Sequence, residues 1–438
     1  MLIHAGPGAG KTLGALLTFK EMRKALLVKK LVIFCHRNSI ANQWIDSASK
    51  IGLNLNIEEE DGENLNVTKK TDGFIVTYQS AARNSKLFKS QIQSIQDEGF
   101  IAIADEAHHL GIDPEHSECP GWGQTFLGLT ENAKLRIGLT GTPFRSDNLP
   151  FCSARKIRIV NRGEYIEQIT PDLCIEPREL ISEGDVRPLE FHFQDGWVEH
   201  SFKGCKNPEV SPISLESRET WRARNLRRAI KISDKSTIAI QLILKAQQKL
   251  ERIKEKEKNA AGLIIAKDIE HAKAIASLLI ENGNSVELVH SQDKEAGERL
   301  NSFQSSQSNW LVSVDMCSEG FDAPRLRVVA YLTTVVTKSR FIQGITRAVR
   351  VNQEISSLEA IPRKPSYIFA PADPLLMQYA KEWSKASPYV IKTTEDSSSY
   401  QDITTGSRGP SLPMQAIGDG AGELIKMGTP ELPIFLKR

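Results

Sequence analysis

Cysteine is scarce: six in 438 residues, at positions 35, 119, 152, 174, 205 and 317, with no C-x-x-C among them. That scatter suits neither a disulfide framework nor a four-thiolate zinc site. Long apolar runs are missing too, and nothing resembles a signal peptide, so the expected compartment is a reducing cytoplasm with no membrane span. Charge of one sign is also lacking. Lys and Arg total 56 against 54 Asp and Glu, a formal net charge of +2, so any nucleic-acid surface has to be a local groove or patch. One stretch qualifies, Arg218 to Lys235, which carries seven basic residues against Glu219 and Asp234; a solvated helix face explains it equally well. His108, His109, His116 and Cys119 lie close together but match no metal-ligand spacing.

Ala5-Gly6-Pro7-Gly8-Ala9-Gly10-Lys11-Thr12 follows a short apolar strand and runs into Leu13 to Lys24, whose apolar residues recur at helical spacing. Strand, glycine-rich turn and helix in this order form a phosphate-binding loop. Backbone N–H groups of Gly6, Gly8, Ala9 and Gly10 are expected to turn inward around the phosphates, with the positive end of the helix behind them. Lys11 is expected to reach the β- and γ-phosphates, and Thr12 to bind magnesium. The pattern asks for glycine where Ala5 stands.

Phe100 to Ala104 reads as a buried parallel strand that delivers Asp105-Glu106-Ala107-His108 to its C-terminal edge, where open α/β sheets bind ligands. Asp105 suits a magnesium-contacting carboxylate. Glu106 suits the base that orients or activates water, since phosphoryl transfer needs positioning and charge neutralisation. The two segments together are expected to hold a nucleotide with Mg2+.

Apolar runs at Leu31–Cys35, Phe74–Tyr78, Phe100–Ala104 and Arg136–Thr140 alternate with amphipathic stretches, and a second series restarts at Gly262–Ala266, Ser285–His290, Trp310–Asp315, Val328–Thr334 and Ser366–Ala370. This predicts two α/β domains, 1–150 and 234–372, each a parallel sheet covered by helices. Residues 151–233, rich in proline, read as a connector with short strands. Residues 373–438 read as a partly loose extension.

With both series in view, the chain resembles a superfamily 2 helicase or translocase of the DEAD/DEAH type: two RecA-like domains in tandem with the ATP site in the cleft between them. Segments in the family's order carry the resemblance over roughly residues 1–371. Phe34 to Trp44 resembles the backbone-gripping motif Ia, which implies nucleic-acid contact by Arg37; a capped helix starting at Asn38 or Ser39 is the plainer account. Thr77-Tyr78-Gln79-Ser80 is similar to motif Ib and assigns Thr77 and Gln79 to the same task. Thr140-Gly141-Thr142-Pro143-Phe144-Arg145 resembles motif III, which implies coupling of hydrolysis to domain movement by Thr140 and Thr142. Ser318 to Pro324 resembles motif V, with Gly320 near nucleic acid and Asp322 at the nucleotide. Gln343 to Arg350 resembles motif VI, whose spacing puts Arg347 and Arg350 on one helix face; the resemblance implies catalytic roles for Gln343, Arg347 and Arg350, with Arg350 as the main finger. Thr346 stands where motif VI has glycine. The phosphate loop begins so near Met1 that no adenine-reading segment fits upstream of it.

The resemblance implies an ATP hydrolase that moves along nucleic acid by sequence-independent backbone contacts, DNA more than RNA, because the motif wording is that of DNA-repair and restriction members. Two alternatives stand beside it: the motor subunit of a restriction or defence complex, with a nuclease or repair complex as protein partner, and a nucleotide-gated binding module that separates no strands.

Overall fold

The computed structural model describes residues 1–58, 71–110, 121–141, 151–161, 164–200, 209–232, 237–293, 295–314, 321, 323–351, 356, 359–383 and 424–426. They divide into two compact units, one up to Glu176 and one from Pro177.

The first unit contains β1 (Leu2–Ala5), β2 (Lys30–Cys35), β3 (Leu55–Ile57), β4 (Gly73–Thr77), β5 (Phe100–Asp105) and β6 (Leu135–Thr140), then an antiparallel hairpin of β7 (Lys156–Asn161) and β8 (Glu164–Ile169), then β9 (Leu173–Ile175). Apart from the hairpin they form one seven-stranded sheet, β3-β4-β2-β5-β6-β1-β9, and every pairing in it is parallel. The near-continuous apolar strands follow from cover on both faces. Side chains alternate between two cores: Val32, Phe34, Phe74, Val76 and Phe126 share one cluster, while Leu31, Ile33, Ile75, Leu16, Phe19 and Trp44 share the other. Helices α1 (Lys11–Lys24) and α2 (Asn38–Lys50) cover the second face. Helices α3 (Tyr78–Arg83), α4 (Ser85–Ile95) and α5 (Trp122–Leu129) cover the first.

The second unit opens with α6 (Pro177–Glu183) and β10 (Leu189–Gln194), followed by β11 (Trp197–His200), β12 (Glu209–Pro212), α7 (Glu219–Ile230) and α8 (Thr237–Lys254). Next come β13 (Ala261–Ala266), α9 (Ile269–Glu281), β14 (Val286–Val289), α10 (Ala296–Phe303), β15 (Trp310–Val314), β16 (Leu326–Leu332), α11 (Lys338–Ile345), β17 (Ser366–Pro371) and α12 (Pro374–Trp383). Its parallel sheet runs β10-β17-β16-β13-β15-β14 around a single large core. A small antiparallel sheet pairs β18 (Leu424–Lys426), from the extension expected to be partly loose, with β11.

The stretch read as a connector with short strands, 151–233, contributes strands to both parallel sheets. β9 completes the first sheet beside β1, and β10 is an edge strand of the second beside β17. Both pairings join segments distant in sequence, which no local pattern of prolines reveals.

Candidate nucleotide site

The phosphate loop lies between β1 and α1. Gly8 (φ 86°) and Gly10 (φ 70°) take left-handed backbone there, a conformation that costs an L side chain strain. Ala5, by contrast, ends β1 as a fully buried strand residue, so the missing glycine costs nothing at that position. Gly10 caps α1, and no acidic residue occupies the first turn, which leaves the positive helix end facing the loop. Lys11 Nζ donates to the carbonyls of Ala5 at 2.8 Å and Gly6 at 3.1 Å, folding the ammonium back over the turn. The tip of β6 closes in from the side: a Cβ on Gly141 would stand 3.7 Å from the Ala5 carbonyl and 4.0 Å from Lys11 Nζ. One ring nitrogen of His4 lies 3.1 Å from the Gly141 carbonyl oxygen and the other 3.5 Å from Cys174 Sγ, tying the ends of β1, β6 and β9 together.

β5 delivers the two carboxylates to the same sheet edge. Asp105 Oδ2 accepts the Trp44 indole N–H at 2.8 Å, and Oδ1 accepts the Glu106 backbone N–H at 3.0 Å. The Tyr78 hydroxyl donates to the Asp105 carbonyl at 2.6 Å. Burial, followed by the charge of Glu106, pushes the Asp105 carboxyl up to about 6 against the opposing effects of the Trp44 bond and the Lys11 charge. A divalent cation would act in the opposite direction, so the ammonium, the Thr12 hydroxyl at the helix start and this carboxylate are a donor set that fits a magnesium nucleotide. Glu106 sits at φ 50°, left-handed backbone for a non-glycine residue, which costs about 1–2 kcal/mol. Its Oε2 is 3.3 Å from His108 Nδ1, and that same nitrogen is 3.2 Å from Thr140 Oγ1. The acidic segment and the Thr140 strand end therefore meet at one buried imidazole.

Three residues assigned to nucleic acid stand at neighbouring strand ends on this edge. Arg37 follows β2 and occupies the N-cap position of α2, one residue before the caps expected. Thr77 ends β4 and caps α3, its Oγ1 accepting from the Ser80 N–H at 3.1 Å. Gln79 is exposed beside it.

In the second unit, the helix expected to carry both motif VI arginines stops early. α11 ends at Ile345, a 3-10 turn spans Thr346–Val349, and Arg350 leaves in extended backbone, paired with Val186. The two arginines therefore do not share one helix face. Arg347 donates to the Phe321 carbonyl at 2.7 Å. Gln343 is buried at the end of α11. A Cβ on Gly344 would meet Ile265 Cδ1 at 2.7 Å, so glycine lets α11 lie close on β13. The buried Thr346 hydroxyl donates to the Ile342 carbonyl at 2.7 Å, which accommodates the departure from glycine. Thr142, Gly320 and Asp322 lie outside the described residues, as do His116 and Cys119. Among the described residues no cluster of three or more His, Cys, Asp or Glu could hold a metal ion, and no helix is long and apolar enough to cross a membrane.

The start of the basic stretch, from Arg218 to Arg224, is matched within the fold. Arg218 makes paired bonds of 2.9 Å to both carboxylate oxygens of Glu216. Buried Arg222 lies 3.5 Å from Asp373, and the guanidiniums of Arg218 and Arg224 stand over the Trp221 ring. Sequence reasoning missed Trp44, Tyr78 and His4. Trp44 shares the apolar spacing of Ile40, Ala41 and Ala48, so it could not be told from a core residue.

A phosphate loop, an acidic pair and a hydroxyl-tipped strand on one edge of a parallel sheet define the class of P-loop nucleotide-binding folds. Residues 1–145 match the family model for the type III restriction enzyme res subunit, and residues 241–352 match that for the helicase conserved C-terminal domain. Uncharacterized protein ML1624 of Mycobacterium leprae (strain TN) is 29% identical over 394 residues, covering 89% of this chain and 62% of that protein. A protein of Sulfolobus islandicus filamentous virus named as a helicase is 23% identical over 358 residues, covering 80% of this chain and 58% of its own. A fragment assigned as an HsdR subunit of a type I restriction enzyme from Vibrio vulnificus YJ016 has the same fold, with a TM-score of 0.56 at 19% identity, covering 88% of this chain and 62% of that one. The chain belongs to the superfamily 2 helicases, with two parallel-sheet α/β domains in tandem. It spans less than two thirds of the length of these relatives.

Proposed function

We propose that the chain is a cytoplasmic, Mg-ATP-driven helicase or translocase that acts on DNA through sequence-independent contacts to the sugar-phosphate backbone. The observation that supports this most is the convergence on one sheet edge of the phosphate loop, the Asp105–Glu106 pair and the strand ends at Arg37 and Thr77. In this reading the amides of Gly6, Gly8, Ala9 and Gly10 hold the phosphates, and Lys11 exchanges the carbonyls of Ala5 and Gly6 for phosphate oxygens. Thr12 and Asp105 hold magnesium, which when bound neutralises charge building on the transferring phosphoryl group. Glu106 orients the attacking water and takes its proton. His108 passes the state of Glu106 to Thr140, with Thr142 continuing the coupling. From the second domain, Asp322 meets the nucleotide, while Gln343, Arg347 and Arg350 complete the site when ATP brings the domains together; Arg347 must then leave the Phe321 carbonyl. Arg37, Thr77, Gln79 and Gly320 grip the strand, so affinity falls steeply with salt.

The match of residues 1–145 to a restriction subunit favours a second reading, the motor of a restriction or defence complex with cleavage supplied by a protein partner. Duplex translocation without strand separation distinguishes it from a free-standing helicase. The deciding experiment is steady-state ATP hydrolysis with no polymer, single-stranded DNA, duplex DNA or single-stranded RNA, alongside Glu106→Gln. Stimulation by a DNA form, lost in the variant, is the expected result. Hydrolysis indifferent to every polymer would sink the motor reading and leave a nucleotide-gated binder.

A further inference from the structure

The two helices that start at the strand ends assigned to nucleic acid each place an aromatic donor on Asp105. α2 starts beside Arg37, and its Trp44, 1% exposed, donates to the carboxylate oxygen Oδ2 at 2.8 Å. α3 starts at Thr77, and its first residue Tyr78, 2% exposed, donates to the Asp105 carbonyl at 2.6 Å. Buried indoles and phenols generally find some acceptor, and a backbone carbonyl of their own helix would serve. Here both reach across to the same residue, from separate helices. Indole nitrogen only donates, so Trp44 can hold nothing but an acceptor. With Oδ1 engaged by the Glu106 N–H, the plane of the carboxylate is fixed from both sides. Trp44 is packed in the core formed with Ile33, Ile40 and Ile103, so its ring cannot turn unless α2 moves with it.

We propose that Trp44 and Tyr78 are positioning residues for Asp105, through which contact of nucleic-acid backbone with Arg37 and with Thr77–Gln79 sets how well that carboxylate holds magnesium. The inference rests on the reading of Asp105 as the magnesium carboxylate and of those strand ends as backbone contacts. A phosphodiester seated beside Arg37 displaces α2 as a rod, and the Trp44 donor carries the displacement to the carboxylate, while Tyr78 anchors the backbone of Asp105 beside Thr77. Stimulation of hydrolysis by polymer then acts on the metal requirement as well as on turnover.

Trp44→Phe and Tyr78→Phe keep the rings and remove the donors. In the full chain, the Mg2+ dependence of ATP hydrolysis is measured with and without the stimulating polymer, together with binding of a non-hydrolysable ATP analogue with and without Mg2+. The Mg2+ concentration for half-maximal turnover is expected to rise about 10- to 100-fold in Trp44→Phe, the scale for losing a partner of a metal ligand, and less in Tyr78→Phe. Polymer stimulation falls in both while polymer affinity and metal-free analogue binding hold. A general loosening of the fold would instead weaken analogue binding with and without the metal alike. Trp122→Phe removes an indole whose ring lies 5.8 Å from that of Tyr78 and leaves the Mg2+ requirement unaltered. If Trp44→Phe does not fold, Tyr78→Phe carries the test. Unchanged Mg2+ requirement and unchanged stimulation overturn the proposal and leave the nucleotide assignment standing. A wild-type chain without Mg2+-dependent analogue binding overturns both.

Discussion

Buried charge is handled in opposite ways in the two units. At the edge of the first sheet, like charges adjoin: Asp105 and Glu106 are neighbours, burial and Glu106 raise the Asp105 carboxyl to about 6, and Glu106 sits in left-handed backbone. In the second unit, three buried guanidiniums are matched by carboxylates or carbonyls. Arg187, 2% exposed, makes two 2.7 Å contacts to Glu359, one to each carboxylate oxygen, and a third bond to the Lys364 carbonyl. Arg325 reaches the carbonyls of Asn259, Phe303, Ser306 and Ser308, and Arg363 reaches those of Gly184, Ser356 and Glu359. Burial alone would raise the Glu359 carboxyl, but the Arg187 bonds, the Lys364 N–H and the nearby guanidinium charges outweigh it and hold it below the ordinary value. Matched charge fixes a fold; mismatched charge is left waiting for a ligand that completes it.

The sharpest way to break this contrast is Arg187→Met, which strands Glu359. A loss of about 3–5 kcal/mol is expected, read by denaturant unfolding; a loss under ~1 kcal/mol would mean the matched pair is not structural. Glu106→Gln reverses the signs, relieving repulsion where charge is mismatched. Turnover should fall at least ~100-fold, the scale for a positioned acid-base group, while ATP binding and thermal stability hold or rise. Gly10→Ala comes next. Nothing lies within 4 Å of its added Cβ, so only the φ of 70° opposes it, and nucleotide affinity should drop about tenfold from about 1–2 kcal/mol of strain. Gly10→Asn, which tolerates that backbone, should drop less; equal losses would point to the side chain itself. The smallest effect is a pH dependence. Because the folded-state value of Glu359 lies below the ordinary 4.5, its pairing stabilises above that pH and the contribution is lost as pH falls through the folded value. The gap in melting temperature between wild type and Glu359→Gln should therefore be widest near neutrality and close below pH ~4.5; a gap constant with pH counts against the pairing.

The strands that carry the site were legible because both faces of a parallel sheet are apolar. Leu31–Cys35 and Phe100–Ala104 read as unbroken runs and appear as β2 and β5 with ends shifted by one residue. The phosphate loop and the acidic pair were legible because their residue types are tied to backbone conformations few others adopt. What escaped was whatever depends on partners distant in sequence. Trp44 looks like any core residue until its indole is seen on Asp105. The placing of β9 and β10 in different sheets depends on β1 and β17. At motif VI a period of three or four suits an α-helix, but Arg187 N–H bonds the Val349 carbonyl at 2.7 Å, and the chain turns there into an extended bridge.

His108 gives the first unit an arithmetic of its own. Its Nδ1 is within reach of both the Glu106 carboxylate and the Thr140 hydroxyl, at 3.3 and 3.2 Å. A ring nitrogen has one hydrogen to give or one lone pair to offer, never both at once. A hydrogen given to the carboxylate is withheld from the hydroxyl, and a lone pair that accepts from the hydroxyl leaves nothing to give the carboxylate. The imidazole is in effect a ballot with one vote, cast for the carboxylate or for the hydroxyl but never for both.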